Sequence, residues 1–87
     1  FKEPPASENP VVRQRIDELL PAYCERHKLT AREREIAALV LMGKDNQNIA
    51  SELQLALGTV KAHVHNIYRK ANVSSRQQLL QIFWKED

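Results

Sequence analysis

Apolar residues recur along this chain at spacings of three and four, the period of a helix with one buried face. Val12, Ile16, Leu19, Leu20 and Tyr23 form the first such face, behind Asn9-Pro10. Asn can accept from the first free N–H groups of a helix, and Pro suits its first position. Pro21 interrupts the face by disfavouring the α conformation at Leu20 and removing a hydrogen bond, so a kink, or a break into 10–20 and 22–27, is expected. Thr30-Ala31-Arg32-Glu33 has the spacing of a capping box and opens a helix to about Met42 that buries Ile36, Leu39 and Val40. Gly43 stands where a helix end needs a left-handed residue. Asp45 is placed to cap a short helix, about 46–53, with Ile49, Ala50 and Leu53 facing inward. A turn at Gln54 to Leu57 then leads into a longer helix from about Gly58 to Ala71. Its Val60, Val64, Ile67 and Ala71 fall at i, i+4, i+7 and i+11, a buried stripe. Val73 packs under the next turn, and Ser74 or Ser75 caps a last helix carrying Leu79, Leu80, Ile82, Phe83 and Trp84.

No stretch reads as a strand, so the expected fold is all-α: a four-helix helix-turn-helix bundle with an additional N-terminal helix. The 87 residues suffice for one small domain. Residues 1–8, with two prolines and small polar side chains, read as a tail or linker, 9–28 as a helical extension, and 29–87 as the domain proper. The chain opens at Phe1 rather than at a Met, which reads as a fragment excised or processed from something longer. Its two glycines argue against a phosphate-cradling loop and against a turn-rich β fold. The longest apolar run, Ile36 to Met42, is too short to cross a bilayer, and the single cysteine, Cys24, fits a reducing cytoplasm. The module is expected to be soluble and cytoplasmic, while the full-length protein could carry a membrane tether.

Net charge is only +2, but its distribution is uneven. Residues 1–28 balance five cations against five acids, while Gly58 to Lys85 holds Lys61, Arg69, Lys70, Arg76 and Lys85 with no acid. A basic stripe confined to one region is what phosphates require, although a solvated helix face would look the same. Residues 46–71 have the helix-turn-helix plan, in which the second helix enters the DNA major groove. With Val60, Val64 and Ile67 turned inward, helix geometry points Lys61, Ala62, His65 and Arg69 outward, with 61, 65 and 69 one turn apart. Lys61 can donate to guanine acceptors, Ala62 can lie against a thymine methyl, and His65 can donate or accept at a base edge. Arg69, two turns further along, suits a phosphate, as does the Thr59 hydroxyl near the helix start.

The stretch from Leu29 to about Trp84 closely resembles the LuxR/GerE-type helix-turn-helix domain of bacterial transcription regulators. The resemblance rests on Leu29-Thr30, Arg32-Glu33, Gly43, Asn46, Ile49-Ala50, Leu53, Thr59-Val60-Lys61, His63, Asn66-Ile67, Lys70, Val73 and Arg76, all at fixed spacings. It implies a sequence-specific DNA-binding domain that acts as a homodimer on an inverted repeat of double-stranded DNA, attached to an N-terminal signal-receiving part. It implies base contacts from Lys61, Ala62 and His65. It implies backbone contacts from Asn46, Gln47, Thr59 and Arg69, and a dimer interface from Gln78, Gln81 and Ile82; Lys70, in the same basic stripe, is expected to join the backbone contacts. The chain departs from the pattern in three places. Ala56 replaces the usual Ser that caps the recognition helix, a loss of ~1 kcal/mol that Thr59 can partly replace. Gln47-Asn48 replaces Lys-Glu, and Ala71 replaces Leu.

Other readings are poorly served. Cys24 with His27, or His63 with His65, lacks the second ligand pair a zinc site needs, so no metal is expected. No nucleophile, base and orienter share a motif, so no catalytic residue, cofactor or small-molecule site is expected. A helical module that binds a protein partner, and a σ-factor-like unit that works only within RNA polymerase, remain as alternatives.

Overall fold

The computed structural model describes residues 10–85, and among these it holds five α-helices and no strand. They are α1 (Pro10–His27), α2 (Ala31–Leu41), α3 (Asn46–Leu53), α4 (Leu57–Lys70) and α5 (Arg76–Lys85). The tail at 1–8 and the Asn9 cap lie outside the described residues. None of these helices is long and apolar enough to cross a membrane.

Of the kink or break expected at Pro21 the break does not occur, and α1 runs through it as one helix. A proline inside a helix costs ~3 kcal/mol. Opposing it are Ile16, Leu20, Tyr23 and Cys24, all buried on one side of α1, while Pro21 is exposed. Burying a large apolar side chain contributes roughly 1.5–3 kcal/mol, so this face outweighs one missing rung. Tyr23 meets Phe83 of α5 edge-on at 5.1 Å, and α1 also packs on α2. The first helix is thus part of the same core as the other four, which Ile16, Ile36, Ile49 and Ile67 fill from four different helices.

Both expected caps of α2 and α3 are formed. Thr30 Oγ accepts the Glu33 N–H at 3.2 Å and Glu33 Oε1 accepts the Thr30 N–H at 2.9 Å, a complete capping box. Asp45 accepts the Asn48 N–H at 2.8 Å. Of the two serines before α5 it is Ser75 that caps, accepting the Gln78 N–H at 3.2 Å. The Gln78 side chain folds back over this cap, taking both the N–H and the hydroxyl of Ser74 on its Oε1.

The first four helices end alike. Lys28, Gly43, Gln54 and Asn72 all adopt left-handed backbone, with φ of 58°, 89°, 56° and 59°. In each case the next residue donates its N–H back five positions: Leu29 to Cys24, Lys44 to Leu39, Leu55 to Ala50 and Val73 to Tyr68. This closure satisfies carbonyls that a helix end leaves free. Leu29, Leu55 and Val73 also tuck against the core. Only Gly43 was legible as such a terminus, because the other three positions hold residues with a Cβ.

α5 buries Leu79 and Phe83, leaves Leu80 and Ile82 half-buried, and exposes Trp84. Trp84 sits edge-on to Phe83 at the rim of the core, at 5.1 Å.

Because Ile16 is fully buried, Ile16→Ala should destabilise the whole domain by about 2–5 kcal/mol. Val11→Ala, at a 66% exposed position, should stay within about 0.5 kcal/mol. Thermal melts monitored by circular dichroism distinguish the cases. A main transition left in place by Ile16→Ala would show that α1 folds apart from the rest.

Candidate nucleic-acid interface

α3 and α4 form the two-helix unit. Ala50 on α3 is buried, small enough to let α4 approach, and the left-handed Gln54 reverses the chain between them. α4 begins at Leu57, one residue earlier than the spacing suggested, with Ala56 in the cap position. No side chain caps it. Thr59 lies inside the first turn with an exposed side chain and does not replace the missing serine.

α4 packs on α2 and α3, and Val60, Val64 and Ile67 are buried there, with Ala71 buried beyond the helix end. Lys61, Ala62, His65 and Arg69 are all exposed on the other edge. The Arg69 guanidinium leans on Asn66 Oδ1 at 3.5 Å. A shallow groove lined by His65, Tyr68, Arg69, Val73 and Ser74 runs beside that edge. Thr59 and Gln47 are exposed and Asn46 is half-buried. The DNA-contact residues read from the sequence therefore lie on α3 and α4, and those read as dimer contacts on α5, with one exception in their state.

That exception is Lys70. Its ammonium donates to Glu33 Oε1 at 2.7 Å and to the Lys28 carbonyl at 3.3 Å. The Glu33 side chain is only 5% exposed. Burial pushes the Glu33 carboxyl up, but the Lys70 hydrogen bond and the Thr30 N–H more than reverse this, leaving it below its ordinary value. Lys70, expected among the phosphate contacts, is thus engaged by the fold itself.

Arg76 is a second cation turned inward. Its guanidinium donates to the Lys44 carbonyl and to Asn46 Oδ1, bracing the turn before α3 from the start of α5. In the sequence it counts toward the basic stripe and the family resemblance, and no local spacing links it to Lys44. Cys24 lies in the core, where burial raises its thiol pKa. Gln78, grouped with the dimer contacts, has its carbonyl oxygen on Ser74.

Residues 27–83 match the bacterial regulatory proteins of the luxR family. This chain belongs to that family. The matched residues are a luxR-type helix-turn-helix DNA-binding domain of a transcription regulator. It is 45% identical over 56 residues to the monoamine regulon transcriptional regulator of Klebsiella aerogenes, covering 64% of this chain and 25% of that protein. It is 37% identical over 71 residues to the transcriptional regulator MalT of Yersinia pestis, covering 76% of this chain and 8% of MalT. MalT of Yersinia pseudotuberculosis matches to the same extent. The chain spans a quarter or less of these curated relatives. No solved structure matches it significantly.

Acid tests the Glu33 pairing. The native carboxyl binds its proton less readily than a free glutamate, with its usual value of ~4.3, so protonation favours unfolding. The stability it contributes is complete above about pH 5 and is lost as pH falls through the native value. The gap in melting temperature between wild type and Glu33→Gln should therefore close below about pH 4.3. A gap that stays constant down to about pH 3 would count against the pairing.

Proposed function

We propose that this chain is the DNA-reading part of a longer bacterial transcription regulator and binds an inverted repeat as a homodimer. In this reading α4 lies in the major groove. Lys61, Ala62 and His65 meet base edges, and Asn46, Gln47, Thr59 and Arg69 meet the phosphate backbone. The observation that carries the reading is the exposed Lys61–Ala62–His65–Arg69 edge, fixed opposite the buried Val60–Val64–Ile67 edge. The uncapped amino end of α4 adds free N–H groups suited to a phosphate. Asn46 offers its amide nitrogen, because Arg76 takes its oxygen. No catalytic step is assigned to any residue.

Dimer contact falls to the outer face of α5, where Gln81 and Trp84 are exposed and Ile82 is half-buried. The much greater length of the relatives supports a longer protein, in which a signal-receiving part precedes this one and works with it in the cytoplasm. A module that binds only protein partners would leave the exposed cations of α4 without an electrostatic purpose.

A gel shift on duplex DNA tests the reading, with binding expected to weaken steeply as salt rises. No binding even at low salt would favour a protein-binding module. Half-sites about one helical turn apart in a footprint would support the dimer. Lys61→Ala should lower discrimination at one base position by ~1–3 kcal/mol, and an unchanged selection profile would remove Lys61 from the reading role. Arg69→Ala should weaken binding to all sequences alike and flatten the salt dependence by about one ion. A changed sequence preference would instead place Arg69 among the base contacts.

A further inference from the structure

Three helices meet at one ammonium. Lys70 closes α4, Glu33 stands in the first turn of α2, and Lys28 is the left-handed residue that ends α1. Glu33 Oε1 is held from two sides, by the Lys70 ammonium at 2.7 Å and by the Thr30 N–H at 2.9 Å. The carboxylate is therefore a fixed point rather than a mobile surface acid. At its other end α4 has no comparable polar tie among the described residues, and Ala56 offers no side-chain cap. Packing of Val60, Val64 and Ile67 keeps α4 on α2 and α3. Apolar packing is non-directional, however, and tolerates small rolls and slides that a short charged hydrogen bond does not.

We propose that Lys70 is a positioning residue for sequence reading: paired with Glu33 and the Lys28 carbonyl, it fixes the roll of α4 and hence where Lys61 and His65 fall against base edges, without touching DNA itself. This rests on the reading of the chain as a DNA-binding domain. Hydrogen bonds to base edges tolerate only a few tenths of an ångström. Coulombic contacts to phosphates survive larger shifts and carry no sequence information. Loosening α4 should therefore reduce the preference for a chosen sequence while leaving general affinity for DNA nearly intact.

The test begins by selecting a duplex from a pool randomised over about 20 base pairs, two half-sites' worth, using the wild-type chain. The enriched duplex and a scrambled version are then titrated against Glu33→Gln, Lys70→Met and the double variant, across a range of salt. Measurements are made where circular dichroism shows each variant folded. Glu33→Gln keeps an oxygen where Thr30 N–H and Lys70 meet but removes its charge, so the ammonium loses its ion pair, and Glu33 is too buried to reach DNA. It carries the test even if Lys70→Met folds poorly.

Each single variant should lose about tenfold on the enriched duplex, roughly one base contact. Loss on the scrambled duplex should stay under about twofold, the salt slope should match wild type, and the double variant should lose no more than the worse single. Two results overturn the proposal. In one, Glu33→Gln binds like wild type while Lys70→Met flattens the salt slope by about one ion, which makes Lys70 a phosphate contact. In the other, both variants bind like wild type when folded, which restricts the pair to stability. A wild-type chain that enriches no duplex is a separate outcome: it defeats the DNA reading itself and the proposal with it.

Discussion

Val60, Val64 and Ile67 commit one edge of α4 to the space between α2 and α3, and that commitment decides where every other side chain on the helix points. A helix with 3.6 residues per turn cannot bury positions 60, 64 and 67 without turning 61, 65 and 69 outward. The exposed cationic edge is thus a by-product of core packing. The short α3 and its left-handed exit at Gln54 serve mainly to hold that orientation against the rest of the bundle.

The chain achieves this with few specialised residues. A left-handed conformation costs an ordinary residue roughly 1–2 kcal/mol, yet Lys28, Gln54 and Asn72 all adopt it. Each precedes an apolar residue that enters the core while its N–H closes the helix behind it. Burial of Leu29, Leu55 and Val73 offsets the strain at the residue before. Gly43 lacks that support, since its successor Lys44 has its ammonium on Glu52 at 2.7 Å, and there the residue with no Cβ is found.

Most of the fold was legible because it is written in local signals: the periodicity of α2 to α5, the Thr30 capping box, the Asp45 cap and Gly43. What local signals missed shares a cause. Pro21 is a local breaker overruled by the burial of four side chains on the far side of α1, which no local rule weighs. Lys70 finds Glu33 across 37 positions and Arg76 finds Asn46 across 30. Such pairs leave no mark in spacing, so cations that brace the fold look the same in sequence as cations that face DNA. The acid-free run overstated the exposed charge of this region, while helix geometry placed Lys61, Ala62, His65 and Arg69 on the surface where they are found.

Drawing the first helix into the core also silences Cys24. The residue shares that core with Ile16, Leu20 and Tyr23, and burial keeps its sulfur in the protonated, unreactive form. Oxidants and alkylating reagents must wait until α1 lifts away. The thiol's survival therefore records how seldom that happens, and a chain with one cysteine escapes accidental cross-linking to its neighbours for as long as its first helix stays seated.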